Sequence, residues 1–266
     1  MTTILKEIIS AQLHGVPLLY FIHFPRTGGT TINRLLKYTF GDRAIFHAGL
    51  LAEHGGEAGL SAALAGPAHK LYHHAIIVTG HFGMPHPLVR LSPRPIAIAA
   101  VMRDPVARIV SLYDYIRGTP SHPEHAALSA LSLNQALDAV PDFAAHCRNA
   151  QLRTLFNATD QAGVMAALRR HPYLLGRVDA LEGFAQRLLA PFGFTLGDAL
   201  PRLNERPRFA DVAPACAQPD YAAALGRLRA YNEAELAFFA QLPPIFANAP
   251  GPARSKPYQA NGHQPA

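Results

Sequence analysis

The sequence predicts an α/β layer fold with a central parallel sheet and a helix-rich second half. Three apolar runs carry that prediction: Leu18 to Phe24, Ala75 to Thr79 and Ile96 to Met102, each ending in a loop marked by glycine or proline. In the first half, strands of this kind alternate with helical periodicity, the pattern of a parallel sheet with helices packed on it. Ligands in such sheets bind beyond the carboxyl ends of the strands, so the three loops are expected to converge on one site.

The run Leu18–Phe24 is almost wholly apolar, as a strand covered on both faces should be. Pro25-Arg26-Thr27-Gly28-Gly29 ends it, and Ile32, Leu35, Leu36 and Phe40 then recur at helical spacing. Ile96–Met102 leads into Arg103-Asp104-Pro105, where Asp104 suits an N-cap and Pro105 the first helical position. In the helix that follows, Val106, Ile109, Val110 and Tyr113 are read as the core stripe, with Arg108, Ser111 and Tyr115 on the opposite, polar face. Further helices are predicted over 126–145, 148–156, 161–170, 180–189 and 221–241, with a short strand near 173–178. No internal repeat or linker divides the chain, which gives one domain over residues 1–242. The Pro-, Ala- and Gly-rich stretch from Pro243 to residue 266 reads as a disordered tail.

Composition narrows the function without choosing it. The 266 residues are 49% hydrophobic and 16% charged, which excludes a disordered polyelectrolyte and allows a full core without disulfides. Lys and Arg total 24 against 18 acidic residues, a net +6 that suits a nucleic acid, an anionic membrane or a phosphate-rich cofactor. The basic residues are scattered without an aromatic-interleaved patch, which gives nucleic-acid binding little support. Cys147 and Cys216 form no C-x-x-C pattern, no apolar run reaches about 18 residues, and the first residues do not read as a signal peptide. A reducing, cytoplasmic compartment without membrane insertion is the expectation.

The loop Phe24-Pro25-Arg26-Thr27-Gly28-Gly29-Thr30-Thr31 has the parts of an anion cradle. Glycines let the backbone approach an anion, amides at a helix start point toward it, the threonines add hydroxyl donors, and Arg26 adds a permanent charge. The loop does not match G-x-x-x-x-G-K-[ST], so a P-loop nucleotide kinase or hydrolase lacks its Walker lysine, and no magnesium ligand is marked.

FIHFPRTGGTTI resembles the 5′-phosphosulfate loop of the sulfotransferases, whose carbohydrate-directed branch carries a P-K-T-G-G-T-S-like sequence after the first strand. Met102 to Tyr113 (MRDPVARIVSLY) resembles the same family's 3′-phosphate motif, R-D-P-x-x-R-x-x-S-x-Y. The resemblance implies a three-layer P-loop-like fold and a PAPS-dependent sulfotransferase, with 3′-phosphoadenosine 5′-phosphosulfate (PAPS) as co-substrate and a hydroxyl-bearing acceptor, a sugar above all. On that resemblance Pro25, Arg26, Thr27, Gly28, Gly29, Thr30 and Thr31 would hold the 5′-phosphosulfate, and Arg103 with Ser111 the 3′-phosphate. Lysine is usual where this chain has Arg26. Arginine stays protonated and offers a bidentate fork, so charge stabilisation is its expected catalytic role. A non-catalytic nucleotide- or polyanion-binding module would use the same cradle without the chemistry.

The acceptor hydroxyl must lose a proton, a task suited to histidine. Among 14 histidines, His81 is singled out because Gly80-His81 follows the Ala75–Thr79 strand, similar to the placement of the catalytic histidine in uronyl-directed members of the family. His23 reads as a core residue inside the first strand. His69 and His73, with His86 nearby, lack the glutamate of H-E-x-x-H, and no metal is expected. Asn149-Ala150-Gln151-Leu152-Arg153 resembles the family's N-x-Q-T-R segment, lining the cleft or lying on a helix surface. Leu203 to Arg208 resembles the late loop that closes over the adenosine.

Overall fold

The computed structural model describes residues 18–41, 45–47, 77–81, 83–84, 95–196 and 213–248. Its centre is the strand predicted first, β1 (Leu18–Ile22), in which every residue is buried. α1 (Gly29–Phe40) follows, then β2 (Ile45–His47), β3 (Ile77–Gly80), β4 (Ile96–Met102) and α2 (Pro105–Arg117). The chain continues through α3 (His125–Leu128), α4 (Leu133–Ala139), α5 (Pro141–Ala145), α6 (Ala150–Phe156) and α7 (Gln161–Arg170). It then forms β5 (Tyr173–Arg177), α8 (Leu181–Leu189), α9 (Tyr221–Tyr231), α10 (Glu233–Gln241) and β6 (Ile245–Ala247).

The six strands form one sheet in the order β2-β3-β1-β4-β5-β6. β1 to β5 run parallel, and β6 pairs antiparallel with β5. The chain leaves β1 toward the β2 edge and leaves β4 toward the β5 edge. The strand order therefore reverses between β1 and β4, the place where open α/β sheets form a binding crevice. In register, Ile22 of β1 lies beside Gly80, so β1 and β3 end level, and beside Ala100 on the other side, where β4 runs on for two more residues to Met102.

Alternation along the strands divides the core into two faces. Leu18, Tyr20 and Ile22, with Ile96, Ile98, Ala100 and Met102, pack against Leu152, Leu155 and Phe156 of α6 and Val164 of α7. Leu19, Phe21, Ala99 and Val101 pack against Ile32 and Leu36 of α1 and Phe184, Ala185, Leu188 and Leu189 of α8. Helices thus cover both faces. A third cluster joins Ile109, Leu112, Tyr113 and Ile116 of α2 to Leu133 and Leu137 of α4, Phe143 of α5 and Leu228 of α9.

The helix predicted over 126–145 is three short helices. Ser132 caps α4 in a capping box with Gln135, and Pro141 opens α5; both end whatever precedes them. The stretch predicted as one helix over 221–241 breaks at Asn232, which bonds Leu228 O at 2.7 Å and Cys147 O at 2.8 Å through its side chain. The stripe assigned to α2 is also rotated from its observed position. Arg108, read as a residue of the polar face, is buried with Pro105, Ile109, Leu112, Tyr113 and Ile116, while Val106 and Val110 are half-exposed. These buried positions follow the i, i+3, i+4 rule once a charged residue is admitted to the stripe. Arg108 fits there because its Nη2 donates to His146 O at 2.7 Å and Glu235, also buried, offsets its charge.

The fold does not end at Leu242. Residues 245–247, assigned by composition to the tail, complete the sheet. Asn248 fixes them there: its Oδ1 accepts from Tyr173 N at 2.6 Å, and its Nδ2 donates to Leu168 O at 2.5 Å. Residues 249–266 lie outside the described residues. Replacing Asn248 by Ala should lower unfolding free energy by about 1–3 kcal/mol, because a strand amide and a helix carbonyl lose their partners. Urea unfolding monitored by circular dichroism measures this; an unchanged midpoint would contradict it.

Candidate active site

The turn after β1 is built by two glycines, each for its own reason. Gly28 caps α1 with φ of 85°, a left-handed conformation that side chains resist. Gly29 is required by its neighbour: a Cβ there would lie 1.9 Å from Cδ2 of His23. Pro25 is half-buried, and the buried Thr27 donates its hydroxyl to Phe24 O at 3.0 Å, which tightens the turn from inside. Thr31 is buried and Thr30 is exposed in the first turn of α1. Of the two added hydroxyls, that of Thr30 is the one on the surface.

Arg26 also has a left-handed backbone, with φ of 69°. Such a conformation costs a non-glycine residue about 1–2 kcal/mol and persists where the surroundings enforce it. Here they do. Arg26 Nε donates to Ser111 Oγ at 3.1 Å, and its guanidinium carbon stands 4.8 Å over the Tyr115 ring, so α2 holds the side chain from two positions one turn apart. Arg103, just past β4, donates from Nη1 to Arg26 O at 3.2 Å. Arg26, Arg103 and Ser111, which the sequence assigned to two motifs, therefore meet at the carboxyl edge of β1 and β4. Although Arg26 and Ser111 were expected to face different phosphates, they hydrogen-bond to each other.

The loop bearing Arg103 is held from below. Arg103 N donates to Gln151 Oε1 at 3.0 Å, and Gln151 Nε2 donates back to Arg103 O at 2.9 Å. Gln151 Nε2 also donates to Glu235 Oε1 at 2.5 Å, while the Gln151 and Leu152 amides donate to Glu235 Oε2. Gln151 and Glu235 are both fully buried. Gln151 is thus a buried clamp on the Arg103 backbone. Burial pushes the Arg103 guanidinium below its usual value while Asp104 opposes the shift. Asp104 Oδ1 meanwhile accepts from Ala107 N at 2.8 Å as the predicted N-cap of α2. Two permanent cations at a strand-end crevice, beside amides of a helix start, can bind and neutralise a polyanion.

His81 is exposed at the end of β3, and its Nδ1 lies 2.6 Å from His23 O. The two rings are 4.6 Å apart between centroids, inclined at 34°. His23, read from the sequence as a core residue within the strand, instead stands one residue past β1 and is only partly buried. Its Nδ1 contacts Asn33 Nδ2 at 3.1 Å, and Thr79 donates its hydroxyl to Asn33 Oδ1 at 2.7 Å. Burial, with a smaller contribution from His81, pushes the His23 pKa down to about 4. Sequence reasoning missed His23, Asn33, Thr79 and Glu235. A signal existed for Asn33, an amide between Ile32 and the apolar pair Leu35-Leu36 on a helix opening at the cradle. His69, His73, His86 and 203–208 lie outside the described residues.

No protein-family model and no curated protein matches the chain. Among the described residues, no helix is long and apolar enough to cross a membrane.

Two predictions follow from His23. Gly29→Ala should destabilise the protein by about 1–3 kcal/mol through overpacking, and this cost should largely vanish in a His23→Ala background. A urea double-mutant cycle with no coupling would contradict the packing. Since the unfolded chain gains the His23 proton near pH 6.5 and the folded chain only near 4, stability is lost as pH falls across that window. His23→Asn should flatten this part of the profile of unfolding midpoint against pH.

Proposed function

We propose that the chain is a sulfotransferase that moves a sulfuryl group from 3′-phosphoadenosine 5′-phosphosulfate to an acceptor hydroxyl, a carbohydrate hydroxyl by motif resemblance. The observation that carries this reading is the meeting of Arg26, Arg103 and Ser111 at one strand-end crevice, although they lie 77 and 85 residues apart in sequence. The family resemblance assigned these same residues to one donor. A helix-covered parallel sheet whose order reverses at that crevice is also what a three-layer P-loop-like fold requires.

In the proposed reaction, the acceptor oxygen forms a bond to sulfur as the bond from sulfur to the bridging phosphate oxygen breaks. The electron pair leaves on that phosphate oxygen. Arg26, the turn amides of Gly28 to Thr31 and the Thr30 hydroxyl stabilise the charge that develops there. Arg103 and the Ser111 hydroxyl hold the 3′-phosphate, which fixes the donor for in-line attack. His81 takes the acceptor proton on Nε2. The carbonyl of His23 can only accept, so His81 Nδ1 carries hydrogen in that contact and the neutral ring keeps its lone pair on Nε2. Both steps rest on positioning and electrostatics, as in phosphoryl transfer.

Isothermal titration with 3′-phosphoadenosine 5′-phosphate and with ATP tests the donor site. The bisphosphate should bind, and Arg103→Ala should weaken it by about 1.5–3 kcal/mol, as loss of charge-assisted bonds does. Binding of ATP with none of the bisphosphate would overturn the assignment in favour of a nucleotide kinase or hydrolase. Transfer of labelled sulfate to an oligosaccharide panel separates enzyme from binding module, and His81→Ala should lower kcat about 10²–10⁴-fold.

A further inference from the structure

We propose that His23 is a positioning residue, locked in one neutral tautomer by a Thr79–Asn33 hydrogen-bond chain, that holds His81 in its proton-accepting form. The inference rests on His81 as the base of the proposed transfer.

The orientation of the Asn33 amide assigns the proton at each step. The Thr79 hydroxyl has a single hydrogen, and it is directed to Asn33 Oδ1. With Oδ1 turned to Thr79, the group of Asn33 that faces His23 Nδ1 is NH₂, which can only donate. His23 Nδ1 is therefore the acceptor, and its one ring hydrogen sits on Nε2. Adding a second proton at Nδ1 would set N–H against N–H and break the chain.

The same residue uses its carbonyl on His81. His23 N donates to Gly80 O at 2.8 Å, the next step of the β1–β3 ladder, so the His23 backbone is fixed by the sheet. Its carbonyl then receives His81 Nδ1–H, which leaves Nε2 as the basic nitrogen. An imidazolium at His23 would sit one ring-stacking distance from His81 and oppose the proton that His81 must accept. A neutral His23 avoids this. Among the described residues, His81 is the titratable group acting on His23; Asn33, Gly29 and Phe21, which lie against the ring, carry no charge. The missing Cβ of Gly29 is what allows the ring to lie there, so the base and the anion cradle share one support.

The test reads ring protons directly in the full chain. Long-range ¹H–¹⁵N spectra of the histidines at neutral pH should show His23 protonated at Nε2 and His81 at Nδ1. Thr79→Val keeps the shape but removes the hydroxyl hydrogen; it should bring a His23 Nδ1–H signal into view and lower transfer kcat about 10- to 100-fold, the range that follows loss of a group orienting a metal-bound histidine. The donor KM should change less than twofold, and Thr79→Ser should restore both spectrum and kcat. A wild-type His23 protonated at Nδ1, or a Thr79→Val variant with unchanged spectrum and kcat, would overturn the proposal. A wild-type spectrum as expected, with a His81→Ala variant that keeps full transfer, would remove the base assignment and leave the tautomer lock standing.

Discussion

The hydrogen bonding of β1 on both sides is the constraint from which the rest of the protein follows. Five buried residues, Leu18 to Ile22, pair in parallel with β3 and β4, and this pairing ends β1 level with β3 and two residues short of the end of β4. Because the ladder is parallel, a connection between these strands must cross over on a face of the sheet; α1 follows β1, and α2 to α7 lie between β4 and β5. Both faces of β1 are thereby covered and its apolar character is accounted for. The loops that leave the three strand ends carry Arg26, His81 and Arg103.

Below that edge the protein places charge where it is expensive. Arg108 is 1% exposed and Glu235 is fully buried, and neither is in an ordinary surface setting. Burial depresses the Arg108 pKa while Glu235 and the Cys147 thiol oppose that shift, and Arg108 Nε has no hydrogen-bond partner among the described residues. Burial of charge is tolerated only when other groups satisfy it. Glu235 accepts from two backbone amides and the Gln151 side chain, and Gln151 in turn grips Arg103. These buried polar groups carry order from α10 to a loop at the sheet edge. Cys147, whose thiol burial pushes up to about 12, donates to Phe143 O and serves packing.

Much of this was legible in the sequence, for identifiable reasons. β4 lies where its apolar run predicted, as does α7, and the Asp104-Pro105 start of α2 is as read. These elements declare themselves through local signals: continuous apolarity, an N-cap, a proline at the first helical position. The turn after β1 and the helix that follows were legible because the glycine pair marks a strand's end and helical spacing resumes after it. The Arg108 stripe was hidden because periodicity counts arginine as polar, whereas a distant carboxylate decides its burial. The roles of His23 and Gln151 were hidden for the same reason. Their partners lie 10, 58, 48 and 84 residues away, and no local rule names them. The strand at 245–247 was masked by prolines that flag a loop but tolerate an edge strand.

The Glu235–Gln151 contact also has a consequence for how the protein is made. Its two residues are 84 positions apart, and the segment that supplies Glu235 is made after all the described elements except β6. The sheet-edge loop of Arg103 therefore receives its lower support only after nearly all of the described chain has been synthesised. Contacts of such sequence separation form late, since loop closure precedes any gain from them. Strands β1 to β5 and the turn after β1 can assemble vectorially, whereas the basic crevice reaches its final order in a closing, non-local step.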